Sequence, residues 1–196
     1  MIGPRRKSHP AGSARGLRRF VRDRRGVSAV EFALLAPVLI MLYLGVSVLC
    51  GALLAERKAI NTTSALADLT AQLSNTTPSS LADICSAANT IMAPYSTTSS
   101  ALQARISVVS KDSSGNTTVS WSYPCQGLTA LSKGAPYSGP AAAMLADGQS
   151  MVISELQYVY NAPLTTGFTW LPASHTFSET FFLQPRESQT VACSTC

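Results

Sequence analysis

Residues 22–45 decide how this chain is organised, and they read Arg-Asp-Arg-Arg-Gly-Val-Ser-Ala-Val-Glu-Phe-Ala-Leu-Leu-Ala-Pro-Val-Leu-Ile-Met-Leu-Tyr-Leu-Gly. A basic stretch ends at Gly26, and an apolar run with one early acid, Glu31, follows it. From Phe32 to Ala55 there are 24 residues without a charge. As a helix they would extend about 36 Å, more than the roughly 30 Å of a bilayer's hydrocarbon core. The apolar region of a secretory signal is shorter, so the sequence predicts a membrane-spanning helix that is retained.

The distribution of charge predicts the orientation of this helix. The chain has a formal net charge of +5, but residues 1–26 carry nine basic residues against one acid, Asp23, and the remainder is net negative. Basic residues beside a membrane span stay on the cytoplasmic side. We therefore expect residues 1–26 to form a cytoplasmic leader, with everything after Ala55 outside the cytoplasm. A nucleic-acid-binding arm is the alternative for the arginines, and the adjoining span argues against a nucleic-acid partner.

The boundary at Gly26 resembles the processing site of type IV pilin-like proteins. Residues 24–38, Arg-Arg-Gly-Val-Ser-Ala-Val-Glu-Phe-Ala-Leu-Leu-Ala-Pro-Val, are similar to the start of TadE-like proteins of bacterial tight-adherence (Tad/Flp) pilus systems. The resemblance covers about residues 22–60. It implies a minor pseudopilin of the bacterial inner membrane with a periplasmic C-terminal domain, cleaved by a prepilin peptidase between Gly26 and Val27. Its partners would be the lipid bilayer, other pilins and pseudopilins, and the pilus assembly platform.

The resemblance also implies a partner for Glu31. In pilin-like proteins the matching acid is thought to pair with the amine that leader cleavage frees, which here belongs to Val27. An ammonium and a carboxylate at membrane depth offset each other's desolvation. Val27, Glu31 and Phe32 are therefore the candidate residues for subunit pairing in the membrane. The alternative is that Glu31 only extends to the cytoplasmic headgroups, because it lies near the start of the helix.

Four of the five cysteines lie on the proposed outer side, where an oxidising periplasm allows disulfides: Cys85, Cys125, Cys193 and Cys196. Three pairings are possible, and the sequence does not distinguish them. We favour Cys85–Cys125 with Cys193–Cys196. The terminal C-x-x-C could instead be a redox or metal motif, but no helix follows it and zinc needs further ligands. Cys50, inside the predicted span, is expected to be buried and without chemistry.

Helical spacing continues beyond the predicted span. Leu66, Leu69 and Leu73 recur at intervals of three and four residues, so one helix is expected from Val27 to about Ser74, with this stripe facing a soluble domain. A second pattern within the helix places small residues four apart, which would let another helix approach closely. The small residues are Ser47, Gly51 and Ala55.

The remaining pattern predicts an α+β fold with a mainly antiparallel sheet. Thr77 as a cap and Pro78 at the first helical position predict a helix to about Met92. Strands are expected at 102–109, 117–123, 150–160 and 176–183, the first two as a hairpin with Val119, Trp121 and Tyr123 on one face. The expected organisation is a leader (1–26), a membrane helix with its extension (27–75), and a pilin-like periplasmic α+β domain (76–196).

No pattern in the sequence predicts catalysis. The two histidines, His9 and His175, lack a catalytic neighbourhood, no glycine-rich phosphate loop follows a strand, and the acids are scattered. We expect no enzyme activity, no cofactor, no metal and no small-molecule substrate. Two alternatives to the pseudopilin remain: an uncleaved TadG-like assembly factor anchored in the membrane, and a membrane-anchored periplasmic redox protein using the terminal cysteines.

Overall fold

A long helix, α1 (Val27–Ala71), begins the described part of the chain. The computed structural model describes residues 26–162 and 173–196. Residues 1–25 of the predicted leader therefore lie outside the described residues. The chain divides into two compact units between Val46 and Ser47. The first contains the start of α1, with Pro37 inside the helix, and the second contains the rest of α1 and the α+β domain. The helix ends at Ala71, three residues before the predicted Ser74. At this end the amide of Arg186 donates to the carbonyl of Ala71.

Two further helices and six strands follow in the described residues. They are β1 (Asn75–Thr76), α2 (Pro78–Met92), β2 (Leu102–Lys111), β3 (Thr117–Gln126), α3 (Pro140–Met144), β4 (Ser150–Asn161), β5 (Ser174–Leu183) and β6 (Ala192–Cys193). The predicted start of α2 is confirmed, since the Thr77 side chain accepts a hydrogen bond from the Ser80 amide at 3.3 Å and Pro78 is the first helical residue.

The main sheet has four antiparallel strands in the order β3-β2-β4-β5. This confirms the predicted α+β fold with an antiparallel sheet behind a long N-terminal helix. A second sheet is a short parallel pair of β1 and β6, which brings Asn75 beside Ala192. The sequence did not predict this pair, because two residues are too few to show a periodic pattern.

One face of the sheet packs against α1 and α2, but the side of α1 that faces it differs from the predicted leucine stripe. Leu66 is fully buried and Leu73 is partly buried against the same core, as predicted, whereas Leu69 remains 39% exposed. Threonines occupy other buried positions of α1, and the hydroxyls of Thr62, Thr63 and Thr70 each donate to the carbonyl four residues earlier. A hydroxyl satisfied within its own helix can be buried without a partner on the sheet. Small residues therefore face the strands here.

The opposite face of the sheet packs under α3 and the irregular chain before it, and Val119 lies on that face with Val109. Trp121 and Tyr123 pack instead on the helix side. The prediction of one shared face for these three β3 residues was therefore wrong. The reason is a register shift between the pairs Val108–Trp121 and Val109–Val119, where the extra residue Ser120 reverses the alternation of side chains.

Candidate processing and membrane-assembly site

The residues predicted for processing and pairing lie together at the start of α1. Gly26 directly precedes the helix, Val27 is its first residue, and both are exposed. Glu31 lies four residues after Val27, so the two share one face of the helix about 6 Å apart along its axis. Glu31 and Phe32 are also exposed, and Phe32 keeps 68% of its surface. These groups are thus open to a peptidase, to lipid or to a neighbouring subunit.

The apolar surface of α1 is uncovered over most of the predicted span. By length and composition α1 can cross a membrane, and only 6% of its most apolar stretch is buried. Leu34, Tyr43 and Leu49 each expose more than half of their surface. A contiguous apolar surface of this size marks a membrane or protein contact.

Cys50 also lies on this uncovered surface. Its thiol is free and exposed, which corrects the prediction that it is buried, because none of the described domain residues covers this side of α1. The other four cysteines form the two favoured disulfides, Cys85–Cys125 and Cys193–Cys196, with Cα–Cα distances of 5.3 and 5.6 Å. The first links α2 to the edge strand β3, and the second closes a short loop in the C-terminal tail.

Where α1 enters the domain, Lys58 binds the end of α2. Its ammonium donates to the carbonyl of Ile91 at 3.1 Å and to that of Ala93. The last carbonyls of a helix lack partners within the helix and carry partial negative charge, so a cation there is favourable. The same ammonium lies 6.0 Å from the ring centroid of Tyr95.

Two tyrosines contact the backbone of α1 at Gly51. The Tyr95 hydroxyl donates to the Gly51 carbonyl at 3.4 Å, and the Tyr160 hydroxyl would lie 2.5 Å from a Cβ placed on Gly51. The two rings pack edge-on with centroids 6.3 Å apart. Ala55, one turn further on, is fully buried in the domain core. We call Gly51, Tyr95 and Tyr160 the tyrosine contact.

The tyrosine contact corrects the interpretation of the small-residue pattern. Gly51 and Ala55 admit side chains of the chain's own domain, rather than a second helix, and Ser47 is exposed. Sequence analysis missed Tyr95 and Tyr160, which lie far from Gly51 in the chain. The sequence offered one signal for a close contact at this point: Gly51 lies inside a helix, where no turn requires a glycine.

Substituting Gly51 by alanine should destabilise the domain, and Gly45→Ala provides a matched control. No described residue lies within 4 Å of a Cβ at Gly45, so that change should be neutral or should stabilise the helix by up to about 1 kcal/mol. At Gly51 the methyl group must displace the buried Tyr160, and overpacking costs about 1–3 kcal/mol. Thermal unfolding in detergent measures both. Equal transition temperatures for the two variants would contradict a close contact at Gly51.

Titratable side chains elsewhere in the domain lie in different surroundings. Arg105 pairs with Glu155 on the neighbouring strand, with Nη2 2.6 Å from Oε2. Burial, and then the nearby Glu56 carboxylate, raise the pKa of Glu179 above its usual value. His175 is exposed, and its ring packs edge-on against Phe177. Among the described residues, no group of three or more His, Cys, Asp or Glu side chains is placed to hold a metal ion.

The described residues therefore define a protein with one helix suited to single-pass membrane anchoring and a disulfide-bonded α+β domain. Residues 26–68 match the model of the TadE family, described as TadE-like protein, which confirms the resemblance noted from the residues themselves. The match begins at Gly26 and extends through α1 to Asp68. No curated protein and no solved structure matches the chain.

Proposed function

We propose that this protein is a minor pseudopilin that takes part in assembly of a Tad/Flp-type pilus. The observation that carries the proposal is the TadE-like match over residues 26–68, which includes Gly26, Val27 and Glu31. The uncovered apolar surface of α1 supports a function exercised in the membrane through helix packing. The protein acts as a subunit and not as an enzyme, and it requires no cofactor.

Its orientation follows from charge and from the disulfides. The basic leader stays in the cytoplasm, α1 crosses the inner membrane, and the domain lies in the periplasm. Two disulfides in the domain support this placement, because such bonds persist in an oxidising compartment. A prepilin peptidase then cuts between Gly26 and Val27 at the cytoplasmic face.

Cleavage prepares the chain for pairing. It frees the amine of Val27, and this ammonium pairs with Glu31 of a neighbouring subunit. Each charge lowers the other's cost of lying at membrane depth, and the pair also fixes the register of the two helices. The partners in this step are other pilins and pseudopilins and the assembly platform, within the lipid bilayer.

Gly26→Val should prevent removal of the leader. The peptidase must accommodate the residue before the cut bond, and Gly26 presents no side chain between the basic stretch and the apolar helix. With the peptidase co-expressed, intact mass measurement should give a wild-type chain starting at Val27 and a variant starting at Met1. Gly45→Val, within the same helix, is the control and should be processed normally.

Two results would contradict the assigned processing. Normal cleavage of Gly26→Val would remove Gly26 as the recognised residue. A wild-type chain that begins at Met1 in the presence of an active peptidase would instead favour an uncleaved, TadG-like assembly factor.

A further inference from the structure

The uncharged part of α1 is longer than a hydrocarbon core requires. About twenty helical residues span roughly 30 Å, and the twentieth residue counted from Phe32 is Gly51. The uncharged run continues to Ala55, which adds about 6 Å of helix. This extra turn has the depth of the lipid headgroup layer.

The domain meets α1 within this same turn. Tyr95 and Tyr160 contact the helix at Gly51, which precedes the first charged residue of the extension, Glu56. The Lys58 ammonium lies beside Tyr95 and is held by the end of α2. Tyrosine is enriched at membrane–water interfaces because its ring is apolar and its hydroxyl can hydrogen-bond.

Contacts further along α1 show which end of the sheet lies near Gly51. Tyr160, near the end of β4, contacts Gly51 itself. The side chain of Arg186, which follows β5, pairs with Asp68. The residues that follow β5 thus contact α1 further from Gly51 than the end of β4 does. The end of β4 and the start of β5 therefore lie toward Gly51. The turn between β2 and β3, which contains Ser113, lies at the opposite end of the sheet.

The end of the domain near Gly51 has a composition that suits lipid headgroups. Its described segments are the loop 93–101, the end of β4 at 159–162 and the start of β5 at 173–176. They contain no acid and no Lys or Arg, and consist mainly of small polar residues with the half-buried Tyr95, the buried Tyr160 and one histidine. These segments therefore present no carboxylate to anionic phosphates, and the first acid on α1 after Gly51 is Glu56, five residues further on. The turn at the opposite end carries Asp112.

We infer that this end of the domain, defined by the tyrosine contact and the loop 93–101, lies in the lipid headgroup layer of the outer leaflet. The bilayer surface is its partner, in addition to the hydrocarbon that surrounds the span. The tyrosine contact fixes the domain at that depth, so the loop touches lipid headgroups while the β2–β3 turn points into the aqueous phase. The inference rests on membrane anchoring by α1, but not on a role in pilus assembly.

Depth-dependent fluorescence quenching tests this placement. Cys50→Ser removes the free thiol, and either Ser96→Cys or Ser113→Cys then supplies one labelling position; both serines are exposed. Each full-length protein, labelled with a small fluorophore, is reconstituted into phosphatidylcholine vesicles containing a lipid with a headgroup nitroxide. Ser96 lies in the loop 93–101 and Ser113 in the distant turn, so each is the control for the other.

We expect the probe at position 96 to lose several times more of its emission than the probe at position 113. Without nitroxide the two should emit comparably. Equal, weak quenching in protein that resists alkaline extraction from the vesicles would overturn the inference while leaving membrane anchoring and the proposed function intact. Protein that is extracted by alkali would contradict anchoring itself, and the inference with it.

Discussion

Replacing Glu31 by glutamine is expected to reduce surface piliation sharply while membrane insertion continues. The substitution keeps the shape of the side chain and removes its charge. If the Val27 ammonium of a neighbouring subunit relies on this carboxylate, the variant leaves a cation at membrane depth without its partner. One-sided disruption of a buried pair costs about 3–5 kcal/mol, a penalty that falls on assembly, because the pair forms only between subunits.

The measurement compares piliation, crosslinking to pilus components and protein abundance in cells expressing wild type or Glu31→Gln. Glu56→Gln is a suitable control, since it removes a carboxylate from the same helix beyond the opposite end of the uncharged run. We expect that control to assemble normally. Wild-type piliation by Glu31→Gln at normal abundance would show that Glu31 only reaches toward headgroups, and the pairing mechanism would lose its central residue.

Cys85→Ser should lower the stability and the periplasmic abundance of the domain far more than Cys196→Ser. The Cys85–Cys125 bond joins residues 40 apart in sequence and ties α2 to β3. A loop of this length contributes about 4 kcal/mol in the chain-entropy model. Because folded domains are stable by only about 5–15 kcal/mol, this is a large share. The Cys193–Cys196 bond spans three positions and constrains the unfolded chain much less.

Abundance and urea unfolding of the variants measure the difference, and non-reducing gels should show faster migration of the oxidised wild type. Cys85→Ser is best tested together with Cys85→Ser/Cys125→Ser, which leaves no unpaired thiol to form wrong disulfides. Cys50→Ser should be neutral for the domain, because this thiol is free and exposed. Equal tolerance of the changes at 85 and 196 would argue against the structural assignment and would reopen a redox role for the terminal pair.

Sequence patterns predicted those helices and strands whose formation depends on residues close together in the chain. The uncharged run predicted α1, and Thr77 with Pro78 predicted the start of α2. The hairpin of β2 and β3 was predicted from its two alternating strands, and in the structure Asp112 stabilises the turn by accepting from the amides of Asn116 and Ser114 at 2.8 and 2.9 Å. These hydrogen bonds also lower the pKa of the Asp112 carboxyl.

The residues of the candidate site also differ in whether the sequence could indicate their role. Gly26, Val27 and Glu31 were proposed from the sequence, because the resemblance rests on their spacing at one end of an apolar run, and their roles stay a prediction. Gly51 was misread, since its neighbours Tyr95 and Tyr160 are distant in the chain and a glycine in a helix does not reveal what approaches it.

The amino-acid sequence by itself thus determined the membrane-length helix, α2, the four strands of the main sheet and the α+β class, because hydrophobic period, caps and turns act over a few residues. Only the tertiary structure decided that Leu69 stays exposed while threonines face the sheet, and that a register shift turns Val119 away from Trp121. Both outcomes depend on how closely distant segments pack, and that closeness is set by side-chain volumes on the partner element, which no local pattern records.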